Sequence, residues 1–164
     1  MSVLEARGIS VVRGGRRILH DVGLRIESGA VTALAGPNGS GKSTLLRALA
    51  GIWTVSEGSV VLDEVPLQAR SRRDVASRIA FVAQDIRIDF AFTVAEIVAM
   101  GRYPHRGRFD REAAADRQAV DEAMEWCGIA SLRGRCANTL SGGERQRVVI
   151  ARGLAVQPDF ILLD

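Results

Sequence analysis

Residues 30–44 read AVTALAGPNGSGKST. The first seven are an apolar run ending in glycine, which predicts a buried strand. Gly36, Pro37, Asn38, Gly39, Ser40, Gly41, Lys42, Ser43 and Thr44 then match G-x-x-x-x-G-K-[ST]. Residues 43–50 predict a helix stopped by Gly51. Strand, glycine loop and helix in that order are the context the motif requires. The glycines let successive backbone N–H groups turn toward one anion, and the helix N-terminus adds partial positive charge. Lys42 brings a full charge for the β- and γ-phosphates, and Ser43 a hydroxyl for a magnesium ion. The loop implies a bound nucleotide without specifying a reaction.

Working outward, the N-terminal side reads as short strands. In ILHDVGLRI, Ile18, His20, Val22, Leu24 and Ile26 alternate with the other face at period two, after a turn at Gly14-Gly15. EGSVVLDEVPL predicts a strand pair around a turn, and RIAFVAQ a second buried strand. Beyond Gln84 the pattern becomes helical. Thr93-x-x-Glu96 is a capping box opening a short helix stopped by Gly101. Asp110 is the expected cap of a longer helix running to Cys127, with Val120, Ala123, Met124 and Cys127 on one face. A third helix is expected from Gly142 to before Pro158, and residues 159–164 form an apolar strand closed by Asp164.

Composition excludes several classes. The chain has 164 residues, 47% hydrophobic and 25% charged, which suits one globular domain, or one domain with an inserted subdomain, and argues against disorder. A net charge of +3 is too small to imply nucleic acid. Two cysteines, Cys127 and Cys136, suit neither a disulfide framework nor a zinc site. No stretch approaches the roughly 20 apolar residues that span a bilayer. The opening MSVLEARGIS has no apolar h-region, so a secretory signal is not expected.

A second anion-ready helix start lies about 100 residues after the first, counting along the chain. Residues 140–147 read LSGGERQR, where Ser141-x-x-Glu144 is a capping box and Gly142-Gly143 leaves the helix N-terminus open to close approach. FILLD, closing at Asp164, follows. In this combination the chain resembles the ATP-binding-cassette (ABC) ATPases. GPNGSGKST looks like their Walker A, Gln84 their Q-loop glutamine, Leu140 to Glu144 their signature, and FILLD their Walker B strand. The resemblance implies an α/β fold: a P-loop NTPase (RecA-like) core with an N-terminal antiparallel β subdomain and an inserted helical subdomain. Residues 1–84 and 150–164 would be the core and 85–149 the helical part.

The resemblance also implies roles. Residues 36–44 would bind ATP with Mg²⁺. Ser141, Gly142, Gly143 and Glu144 would face the γ-phosphate of a second cassette in a head-to-tail homodimer. Lys42, Gln84 and Asp164 would be the catalytic set, and Ser43, Gln84 and Asp164 the magnesium set. Two departures stand out. The family usually stacks an aromatic residue on adenine where this chain has Arg13. In the family, the catalytic glutamate and switch histidine follow Walker B, so hydrolysis by residues 1–164 alone is not expected.

Residues 89–109, DFAFTVAEIVAMGRYPHRGRF, resemble importer cassettes for iron-siderophore, haem and cobalamin. That implies an ATPase subunit on the cytoplasmic face of the membrane, paired with an ABC permease and with no nucleic acid partner. Residues 93–100 and the basic loop with Arg102, Arg106 and Arg108 are the expected docking surface. Zinc and manganese importer cassettes share part of the segment and are the alternative. A non-hydrolysing remnant of such a subunit also fits the motifs. So does a soluble cassette acting on ribosomes or DNA ends, but cassettes of that kind carry tandem domains or coiled-coil insertions, which this sequence lacks.

Overall fold

The computed structural model describes residues 1–84, 91–107 and 113–164. Strands β1 (Val3–Arg13), β2 (Arg16–Glu27), β3 (Glu57–Leu62) and β4 (Val65–Pro66) form one antiparallel sheet in the order β2-β1-β3-β4. Strands β5 (Ile79–Val82) and β6 (Phe160–Leu163) pair in a second. The helices are α1 (Lys42–Leu49), α2 (Arg72–Arg78), α3 (Val94–Ala99), α4 (Ala114–Trp126) and α5 (Gly142–Ala155). Helix α2 follows a 3₁₀ turn at Leu67–Ala69, and the sequence pattern signals neither. A seven-residue helix without a buried residue leaves no apolar periodicity to read.

The chain divides into two compact units, residues 1–75 with 162–164, and residues 76–161. In the first, the antiparallel sheet buries Leu4, Ile9, Val11, Leu19, Val60 and Leu62, and α1 packs Leu45 and Leu49 inward with β1 and β2 as its neighbours. In the second, α3, α4 and α5 pack mutually around Val94, Ile97, Val98, Val120, Met124, Val148 and Ala151.

Three expectations need amendment. Residues 30–36 are not a buried strand: they lack regular structure and are mostly exposed, Val31 completely so. A strand needs ladder partners, and β5 and β6 pair only with each other, so no described strand flanks this run. The period-two reading of β2 slips at Asp21. This residue takes φ +46°, and the register with β1 shifts between Ile9/Val22 and Val11/Leu19. The bulge moves Leu19 into the core while His20 points to solvent. Asp110 lies outside the described residues; the observed helix starts at Ala114, where Asp116 accepts a 3.2 Å bond from the Ala113 amide.

Candidate functional site

The phosphate loop is held from behind. Gly41, the N-cap of α1, sits at φ +94°, and a Cβ there would come within 2.8 Å of Leu19 Cδ2. Only glycine accepts both that backbone conformation and that contact. The loop therefore rests directly on β2, and the first-turn N–H groups of α1, without intrahelical acceptors, face outward from the turn. Lys42 Nζ donates to Gly36 O at 2.9 Å and Pro37 O at 2.8 Å, so the ammonium is folded back over its own loop. Ser40 N donates to Pro37 O at 3.3 Å and tightens the same turn. Asn38, Gly39 and Ser40 are exposed, while Thr44 is buried beneath the helix start.

Asp164 belongs to the same unit as this loop. Its side chain is only 8% exposed, and Oδ2 accepts from Arg47 Nη2 at 3.2 Å. Arg47 is one helical turn beyond Ser43, on the same face of α1. No motif marks Arg47, although its i, i+4 spacing from Ser43 is a signal that could have found it. No motif marks Trp53 either. Arg13, at the end of β1, places its guanidinium 4.0 Å from the Trp53 ring centroid, and Arg47 lies 5.1 Å from the same centroid. Arg13 is thus stacked on an aromatic of its own chain, within the range of a cation–π contact.

The chemistry of the loop fits a magnesium nucleotide. The Ser43 hydroxyl and the Asp164 carboxylate are hard oxygen donors of the kind Mg²⁺ selects. The glycine cradle and Lys42 supply the complement to phosphate.

The remaining sequence candidates lie in the second unit. Gln84 lies two residues past the end of β5. Ser141 caps α5 in a complete capping box. Ser141 N and Oγ both donate to Glu144 Oε2, at 2.8 and 2.7 Å, and Glu144 N returns a bond to Ser141 Oγ at 3.3 Å. Those Ser141 bonds, backed by Arg135 and Arg147, hold the Glu144 carboxyl below its usual range. Arg135 braces the approach to the helix, donating to Glu144 Oε1 at 3.2 Å and to Thr139 O at 3.0 Å. Gly142 and Gly143 are exposed, with space around both Cα atoms.

The expected docking loop differs from its sequence reading. Arg102 is buried, not presented to a partner. Its Nε donates to Asp116 Oδ1 at 2.9 Å, and its Nη1 to Ala155 O at 2.8 Å and Gln157 Oε1 at 3.2 Å. His105 Nε2 donates to Val156 O at 2.7 Å. Both side chains therefore satisfy the open carbonyl end of α5. Tyr103 is the exposed aromatic of this turn, and Arg108 lies outside the described residues.

The family model for the ABC transporter matches residues 19–164. The chain belongs to the ABC transporter family. It is 44% identical to the cobalamin import ATP-binding protein BtuD of Halobacterium salinarum over 161 residues, covering 98% of the chain and 40% of that protein. It is 41% identical to the ferric enterobactin transport ATP-binding protein FepC of Escherichia coli, over 99% of the chain and 61% of that protein. It thus spans between two fifths and about three fifths of the length of these curated relatives. Among solved structures it is similar to cbiO1 of Clostridium perfringens, part of the ABC transporter complex cbiONQ, with a TM-score of 0.82 and 29% identity over 98% of the chain and 64% of the other. The cassette fold of this ABC family chain is α/β, as its sequence implied. Among the described residues no helix is long and apolar enough to cross a membrane.

Proposed function

We propose that this chain is the nucleotide-binding part of an importer ATPase that energises uptake of an iron chelate, haem or cobalamin. The observation that carries the reading is the phosphate loop. Gly41 rests on β2 at Leu19, Lys42 bonds back to the loop carbonyls of Gly36 and Pro37, and Asp164 lies in the same compact unit. ATP would take the loop through backbone N–H groups and Lys42, which would exchange two carbonyl acceptors for phosphate oxygens. Ser43 and Asp164 would hold Mg²⁺, which when bound offsets phosphate charge. Ser141, Gly142, Gly143 and Glu144 would present the α5 N-terminus to the nucleotide of a second copy. The helical segment 85–149 would meet an ABC permease at the cytoplasmic face. The kinship to cobalamin and ferric enterobactin subunits supports the substrate class.

Equilibrium binding of Mg-ATP tests the loop. Lys42→Ala should weaken affinity by about 10- to 150-fold, the equivalent of losing a charge-assisted bond of about 1.5–3 kcal/mol. Unchanged affinity in a folded Lys42→Ala variant overturns the assignment. Co-purification with a zinc or manganese permease, and with no iron-chelate or cobalamin permease, overturns the substrate class alone.

A further inference from the structure

The carboxylate assigned to magnesium already has a cation beside it. Asp164 is almost enclosed and is bonded through one oxygen, Oδ2, to Arg47. An enclosed carboxylate without a counter-charge is costly, and the guanidinium removes that cost while no metal is present. The same guanidinium must oppose a divalent cation brought to Asp164, because two positive charges would then share one carboxylate. Arg47 stands one turn from Ser43 on the face of α1 that carries the proposed magnesium hydroxyl. Long helix side chains lean toward the N-terminal turn, so the charge is directed at that region.

Arg47 reaches an aromatic ring in the same conformation that bonds Asp164. Its guanidinium carbon is 5.1 Å from the centre of the Trp53 ring, inside the roughly 6 Å range of a cation–π contact. Arg13 already occupies a position 4.0 Å from that ring centre, which ties Trp53 to the β1–β2 turn.

We infer that Arg47 is the built-in counter-ion of Asp164, a positioning residue that yields the carboxylate when magnesium arrives. It neutralises Asp164 in the metal-free state and thereby sets how much magnesium adds to nucleotide affinity. This inference rests on the reading of Asp164 as the magnesium carboxylate.

The test is the affinity of the full chain for ATP in excess Mg²⁺ and in EDTA. The ratio of the two affinities reports the metal's contribution and largely cancels any direct effect of Arg47 on the nucleotide's charge. Arg47→Met and Arg47→Gln should each raise that ratio by about two- to fivefold, the scale of removing one partly exposed like charge. Arg47→Lys should keep the wild-type ratio. In EDTA the Met and Gln variants should melt lower than wild type, because Asp164 loses its partner. A purely structural Arg47 lowers the melting temperature and leaves the ratio alone. An unchanged or lowered ratio in Arg47→Met and Arg47→Gln, while Asp164→Asn abolishes the magnesium contribution, overturns the counter-ion role and spares the metal assignment. A magnesium contribution that survives Asp164→Asn overturns the metal assignment itself, and the counter-ion role with it.

Discussion

Replacing Arg102 by Met should unfold the helical unit more readily than any surface substitution near it. Arg102 and Asp116 are 8% and 9% exposed and bonded at 2.9 Å. Methionine fills much of the arginine stem but leaves Asp116 buried without its charge partner, and leaves Ala155 O without its donor. Breaking a buried pair in this way typically costs about 3–5 kcal/mol. For a chain of this size each kcal/mol moves the melting temperature by about 2–4 °C, so a fall of roughly 6–20 °C is expected. Arg133 and Asp121 form the comparison: both are 52% exposed, and such pairs are worth about 0–1 kcal/mol. Arg133→Met should therefore move the melting temperature by less than about 4 °C. The assay is thermal and urea denaturation of the two variants and of the double variant Arg102→Met with Asp116→Leu. The double variant should recover much of the loss, since it no longer buries a lone carboxylate. An Arg102→Met cost below about 1 kcal/mol, or a double variant no more stable than the single one, refutes the reasoning.

The same pair sets a pH dependence. The bond from Arg102, with smaller help from the Ala113 amide, holds the Asp116 carboxyl below its usual range. Its stabilisation is complete above the unfolded carboxyl value near 3.9 and is lost as pH falls through the lower folded value. Wild type should lose this increment under acid, and Arg102→Met should show a smaller acid-dependent loss in a pH series of melts. Ser141→Ala should cost about 0.5–2 kcal/mol by removing the cap of α5, read by urea denaturation. Gly101→Ala should cost more than about 1 kcal/mol in the same assay, because the new Cβ would lie 2.2 Å from Arg152 O.

Motifs built from neighbours in sequence were legible. The order of loop and helix at residues 36–49, the capping boxes at Thr93 and Ser141, and the apolar face of α4 all depend on spacing within a few residues. Each is a local hydrogen-bonding or periodicity problem, set by residues a turn or two apart. Arg102 was misread for the opposite reason. A run of arginines in a loop looks solvated, and nothing nearby in sequence reveals that Asp116 and the end of α5 will close over one of them.

Sequence alone therefore determined the glycine loop ahead of α1 and the two capped helix starts, because backbone geometry and side-chain type within a turn or two suffice for them. Tertiary structure alone decided which groups meet across long separations. Lys42 turns back on Gly36 and Pro37, but Arg47 finds Asp164 117 positions away, and Arg13 finds Trp53 across the fold. It also decided that residues 30–36 remain exposed, since an apolar run becomes a strand only where another backbone supplies its hydrogen bonds.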